Sequence, residues 1–323
     1  MSIYLVDLIK RVPDSVENRV MKVRDQSRSV LQDALRAECR LVMRTNEEGK
    51  SNSSWAQVPV YVKPGHPTRL AKIEFFDDFE RILLLSRYRR FLELMRDGSG
   101  GLKTLPSELL ILNVPEQWRR VTEKSMNEAA EWASFLLEIL SQNDPLNTIL
   151  AVDEDILGVY KINHQPTLFR DEYFANKASI YLYWGVIGLV SEWMGCTVED
   201  LAIVVLTHEL AHAYSQLGAD IEGRRWDPGD FSKAETGLKE GLAQYYTDRV
   251  LRRLEKRYSG ALSVYERMLS KQPEPYQTHK PWISTYSPES IRSAMLEIRR
   301  WGESEVAQFN RRLNKLEKRL IPG

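Results

Sequence analysis

The chain has 323 residues with 45 basic and 45 acidic side chains, so its formal net charge is 0. This balance provides no overall field that would attract nucleic acid, and no nucleic-acid partner is expected. No uncharged apolar run is long enough to span a bilayer, and Asp7 interrupts the only apolar run near the N-terminus. We therefore expect a cytoplasmic protein that does not enter a membrane.

The two cysteines, Cys39 and Cys196, are far apart in the sequence. Their number and spacing argue against a disulfide framework and are typical of a reducing compartment. We expect Cys196, which comes just before the most informative helix of the chain, to be a small buried residue and not a metal ligand.

The first hundred residues predict a separate, mostly helical unit. A long, highly charged helix is expected over 14–44, and a second amphipathic helix over 77–96. Between them, residues 58–62 predict a strand that Pro59 confines to the edge of a sheet.

A Gly-rich segment, Asp97-Gly98-Ser99-Gly100-Gly101, is the strongest linker pattern in the chain. We therefore place a domain boundary after it. Residues 1–101 would form a recognition or regulatory region that binds a substrate or a protein partner or gates a cleft, and residues 102–323 would form the second domain.

The second domain is expected to open with a helix over 116–141 that backs a small sheet. Apolar and β-branched residues predict strands over 156–162 and 178–184, followed by a short helix over 185–194. The strand at 178–184 has the stronger pattern, and as an unpaired edge it could accept a peptide by strand addition. Together these elements predict an α+β fold that is mostly helical.

An H-E-x-x-H motif, His208-Glu209-Leu210-Ala211-His212, lies within a strongly apolar helix predicted over 198–217. Thr197 is expected to cap this helix and Gly218 to end it. Two histidines four residues apart lie on one helical face and can share a metal ion, with Glu209 in reach of its water. The alternative, a pair of satisfied core histidines, would bury two imidazoles and a carboxylate at a considerable cost.

A catalytic zinc site needs a third protein ligand. No third histidine follows at the short spacing of H-E-x-x-H-x-x-G-x-x-H, which excludes that pattern. Glu240, on a second helix predicted over 233–256, is our candidate, and Gly241 would allow this helix to approach its neighbour closely. Glu235, which is nearer to the start of that helix, is the alternative.

The two motifs resemble those of the gluzincin metallopeptidases. His208-Glu209-Leu210-Ala211-His212 is similar to their metal helix, and Glu240-Gly241-Leu242-Ala243-Gln244-Tyr245 is similar to the E-G-F-A-x-Y segment of the aminopeptidase N branch. The resemblance covers about residues 150–300. It departs from that branch because the chain has no upstream G-x-M-E-N segment and a longer stretch between His212 and Glu240.

The resemblance implies a zincin-like domain with a small sheet, an active-site helix and a helical C-terminal subdomain, one Zn²⁺ per chain, and an oxyanion donor downstream of the third ligand. Tyr286 is the expected donor and His279 the second choice. Many gluzincins place an Asp one turn after the third ligand to orient an imidazole. Gln244 stands at that position, and Asp248 is a possible substitute.

The expected function is zinc-dependent hydrolysis of peptide bonds in a peptide or protein substrate, with His208, His212 and Glu240 as ligands and Glu209 as general base. One alternative is a catalytically silent, metal-stabilised binding or regulatory protein with the same fold. Another is a zinc hydrolase that acts on compounds other than peptides.

Overall fold

A computed structural model describes residues 3–43, 58–64, 74–75, 82, 85–86, 88–102, 115–142, 149–150, 156–162 and 178–320. The described chain is mostly helical with a small three-stranded sheet, which confirms the predicted α+β class at this level. Most of the first half of the helix predicted over 77–96 lies outside the described residues.

The strands, in chain order, are β1 (Ile3–Tyr4), β2 (Val60–Lys63), β3 (Glu74–Phe75), β4 (Gly158–Ile162) and β5 (Ala178–Tyr183). The helices are α1 (Leu5–Ile9), α2 (Ser15–Cys39), α3 (Arg89–Leu102), α4 (Glu116–Gln142), α5 (Trp184–Met194), α6 (Val198–Leu217), α7 (Pro228–Lys233), α8 (Thr236–Arg253), α9 (Ser259–Leu269), α10 (Glu274–Gln277), α11 (Lys280–Thr285), α12 (Pro288–Trp301) and α13 (Val306–Leu320).

The three-stranded sheet has the order β2-β5-β4, and a separate short pair joins β1 to β3. β5 lies in the centre, parallel to β2 and antiparallel to β4. The prediction that 178–184 is an unpaired edge was therefore wrong, and β4 is the sheet edge that contacts α6. The alternate residues Ala178, Ile180 and Leu182 are fully buried, as is typical of a strand with neighbours on both sides.

One large hydrophobic core includes residues from both ends of the chain. Its centre is α6, and α2, α8 and α9 pack along it. The apolar stripe of α2, which includes Val20, Leu31 and Leu35, is fully buried in this core. The helices α1 and α2 therefore share a core with α6, whereas the sequence predicted a separate unit over residues 1–101.

The helices α3 and α4 form a hairpin with its own small core. Ile82, Leu92, Ala133 and Leu140 are buried there. The segment expected to be a linker, residues 97–101, is part of α3, so the expected boundary falls inside a helix. Low helix propensity costs only about 1 kcal/mol per glycine, which the packing of α3 against α4 outweighs. Among the helices that the structure describes, none is both long and apolar enough to cross a membrane.

Candidate metal centre

The helix that carries the H-E-x-x-H motif has the limits that its sequence predicts. Thr197 caps it, with the side-chain oxygen accepting a hydrogen bond from the backbone N–H of Asp200 at 3.1 Å, and the helix ends immediately before Gly218. All residues from Leu201 to Leu217 are buried. The two imidazoles therefore project from a helix that is packed on every side and holds them in place.

The helix α8 packs along α6 and supplies the third candidate ligand, Glu240. Its neighbour Gly241 faces the indole of Trp282, and a Cβ atom at this position would lie 2.7 Å from Trp282 Cη2. The absence of a side chain therefore allows α8 to come close to the indole. The expected close approach is present, although it is to a side chain and not to another backbone.

The three ligand atoms form a nearly equilateral triangle. His208 Nε2 lies 3.1 Å from Glu240 Oε2 and 3.1 Å from His212 Nε2, and His212 Nε2 lies 3.3 Å from Glu240 Oε2. All three residues are buried, and they form a group that could hold a metal ion. A tetrahedral ion with bonds of 2.0–2.1 Å separates its ligand atoms by about 3.3 Å, so these residues fit such an ion.

Glu240 is a buried carboxylate whose charge is balanced by the two imidazoles. Burial alone would raise its pKa, but the charge of His212 and the hydrogen bonds from His208 and His212 outweigh burial and hold the pKa well below its usual value. The side chain is therefore ionised at neutral pH, which is the form that binds metal ions.

A cleft of about 400 Å³, open to solvent, adjoins the triangle, and His208 and Glu209 form part of its wall. Glu209 has only 1% of its surface exposed. The edge strand β4 passes directly beside it, since a Cβ atom on Gly158 would lie 2.9 Å from Glu209 Oε1. The glycine thus makes room for the carboxyl group between strand and cleft. The described residues that line the cleft are Leu150, Ile156, Leu157, Gly158, Val205, His208, Glu209, Gln244, Met268, Gln272 and Tyr276.

Tyr160 connects the edge strand to the metal helix. Its ring is nearly parallel to the ring of His212, with centroids 6.3 Å apart, and its hydroxyl donates to Gln216 Oε1 at 2.6 Å. Gln216 in turn donates from Nε2 to the carbonyl oxygen of Trp226 at 3.1 Å. This chain of contacts restrains His212 from the side of β4. Its members are not a recognisable motif in the sequence, because they come from three separate elements.

The structure brings His208, Glu209, His212 and Glu240 together but does not bring Tyr286 to the cleft. The hydroxyl of Tyr286 donates to Asn314 Oδ1 on α13 at 2.7 Å, and the residue is not part of the cleft wall. The cap of α12 by Ser287 is present, with Ser287 Oγ accepting from the N–H of Ser290. The helix start predicted after Tyr286 is therefore present, but Tyr286 itself contacts α13.

His279, the second choice, is buried behind the cleft wall. Nδ1 lies 3.1 Å from the carbonyl oxygen of Tyr276, and Nε2 lies 3.1 Å from the hydroxyl of Tyr265. Burial lowers its pKa to about 4. His279 is therefore neutral at pH 7, and both ring nitrogens interact within the protein and not with the cleft.

Tyr276 is a residue of the cleft wall that the sequence reasoning missed. It lines the cleft, and its ring centroid is 6.3 Å from that of His208. The signal available in the sequence was its position between α9 and α11, directly after Pro273 and Pro275, in a segment downstream of the third ligand.

The other candidate residues have different partners. Glu235 accepts a hydrogen bond from the backbone N–H of Val306 at 2.7 Å and is not part of the metal group. Asp248 accepts from Arg252 Nε with both oxygens, at 3.0 and 2.9 Å, and so forms an ion pair within α8 and does not orient an imidazole. Gln244 lines the cleft.

Comparisons of the chain with models of protein families, with curated proteins and with solved structures find no match.

Proposed function

We propose that this protein is a zinc-dependent peptidase of the gluzincin type. The observation that carries the proposal is the buried triangle of two imidazole nitrogens and one carboxylate oxygen, with sides of 3.1, 3.1 and 3.3 Å, beside an open cleft that Glu209 lines. Three protein ligands leave room for a water molecule, as in catalytic zinc sites, and two imidazoles with one carboxylate on an H-E-x-x-H helix are a ligand set that zinc hydrolases use, although other divalent metals also suit it.

When bound, the ion would polarise a carbonyl group and lower the pKa of water to about 7. Glu209 then acts as the general base. It takes a proton from the attacking water and passes it to the leaving amine.

The negative charge that develops on the substrate oxygen needs a hydrogen-bond donor in addition to the ion. We assign this role to Tyr276, because it lines the cleft beside His208, whereas Tyr286 donates to Asn314.

The edge strand supports a peptide as substrate. β4 pairs with β5 on one side only within the part of the chain that the structure describes, and Gly158 on this strand adjoins Glu209. An extended peptide that adds to this edge would run past the general base. The edge favours a peptide over a small non-peptide amide, which needs no strand partner.

The metal is tested by elemental analysis of purified protein after zinc is supplied. The wild type should hold about one zinc per chain, Glu240→Ala should lose most of it, and the matched control Glu235→Ala should keep it. A folded wild type without metal would contradict the proposal.

Catalysis is tested separately with Glu209→Gln, which removes the base and keeps the ligands. Zinc content should stay unchanged while the rate of peptide hydrolysis falls by a factor of about 10² to 10⁴. If wild type and Glu209→Gln are equally inactive on peptide libraries and on small amides, and both hold zinc, the alternative of a metal-stabilised binding protein is the correct one.

A further inference from the structure

Gln244 has an unusual environment for a buried amide. It lies on α8 one turn after Glu240, has 1% of its surface exposed, and forms part of the cleft wall. Its Nε2 donates to Gln272 Oε1 at 3.2 Å. Its Oε1 is buried and accepts no hydrogen bond within the part of the chain that the structure describes. A buried acceptor without a donor is unfavourable and calls for a partner.

The other residues of the cleft wall restrict which chemical group could donate a hydrogen bond to Gln244 Oε1. The wall that contains Gln244 also contains the apolar side chains of Leu157 and Met268. Glu209 is the only acidic residue among the described lining residues, and it would repel an acidic side chain. A cationic side chain would face the divalent ion held by the adjacent triangle.

We propose that Gln244 determines substrate specificity by accepting a hydrogen bond from a neutral amide side chain, glutamine foremost and asparagine second. This inference rests on the proposed function. Glutamine combines an apolar stem, which suits Leu157 and Met268, with an uncharged N–H donor at its tip. Gln272, already bonded to Gln244, is positioned to orient the Gln244 amide. A site built around a hydrogen bond discriminates strongly against analogues that lack the donor.

The test measures binding, so that it does not depend on turnover. Zinc-loaded Glu209→Gln protein is titrated with peptides that differ at a single position, which carries Gln, Leu or Glu, and this position is moved along the peptide. At one position the Gln peptide should bind at least about tenfold more tightly than its Leu and Glu counterparts. Adding Gln244→Met, which keeps the length of the side chain but removes its amide, should reduce this preference to within about twofold.

Gln142→Met is the matched control, because its amide donates to Glu138 on the exposed surface of α4, and the preference should persist there. If Gln244→Met loses zinc, Gln244→Asn replaces it. This variant keeps the amide but withdraws it by one methylene, so the preference for Gln should again fall.

Equal binding of the three peptides at every position, or a preference that survives both Gln244 variants, would overturn the inference. Hydrolysis of peptides by the wild type without a preference for Gln would refute the inference alone. Selective binding of Gln peptides by a wild type that never hydrolyses them would instead refute the proposed function.

Discussion

The helix α6 and the hairpin of α3 and α4 are both helical, but they bury their residues in different ways. α6 is surrounded by α2, α8, α9 and the sheet, so that polar groups such as His208 lie in a dry interior. Within the part of the chain that the structure describes, the hairpin buries a small cluster on one face, and the large apolar side chains of Phe91, Leu94, Trp132 and Phe135 are exposed.

The difference shows where this fold can hold reactive groups. A carboxylate and imidazoles keep fixed positions only where closely packed neighbours restrain them. Among the described residues, the large core provides such packing. The hairpin has a small core of its own, so we expect a substitution there to destabilise the hairpin and not the large core. Substitutions in the two regions can therefore test whether they are energetically separate.

The largest effect is expected for a truncation in the large core. Leu35→Ala on α2 should lower the free energy of unfolding by about 3 kcal/mol, because Leu35 is fully buried and leaves a cavity. The matched change, Leu140→Ala, removes an equally buried leucine from the hairpin. Hydrogen exchange should show Leu140→Ala loosening only the hairpin, with the zinc content unchanged. Equal loss of protection around α6 in both variants would show that the regions are coupled.

A pH effect of intermediate size should come from His279 in the large core. Its folded pKa of about 4 is below the ordinary value of 6.5, so the unfolded chain binds a proton that the folded protein does not. Stability is therefore lost as the pH falls from about 6.5 toward 4. Between pH 7 and pH 4.5, the wild type should lose about 2 kcal/mol more than His279→Gln.

This comparison uses chemical denaturation of both proteins at each pH. The charge of His208 also contributes to the lowered pKa of His279, so the difference between the two proteins includes this contribution. Parallel stability curves would show that His279 is protonated in the folded protein, contrary to its buried environment.

The sequence predicts local features of the site well, because they depend on short-range physics. Apolar residues between Thr197 and Gly218 predict α6 together with its limits, and the spacing of His208 and His212 places both on one face. The sequence also predicted that Glu240 lies beside this helix, although it left Glu235 as an alternative on the same following helix.

The sequence could not predict features of the site and the sheet that depend on tertiary packing. Tyr276, in the short helix α10, and Tyr286, at the end of α11, both follow Glu240 in the sequence, and the path of the chain after α9 decides which one reaches the cleft. The strand order shows the same limit, because the pattern of β5 predicts a strand but not which neighbours it has. The apolar stripe of α2 predicts that one face of this helix is buried, but it does not predict that this face packs against α6.

The smallest effect is expected on the outer surface of the hairpin. Trp132 has 65% of its surface exposed and contacts Phe135 edge to face, with ring centroids 6.0 Å apart. Trp132→Gln keeps a good helix former and removes only this exposed contact, so the free energy of unfolding should change by less than about 0.5 kcal/mol. Urea denaturation measures the change, and zinc content should not alter. A loss above about 1 kcal/mol would mean that Trp132 is buried in solution, and the one-sided burial of the hairpin would have to be abandoned.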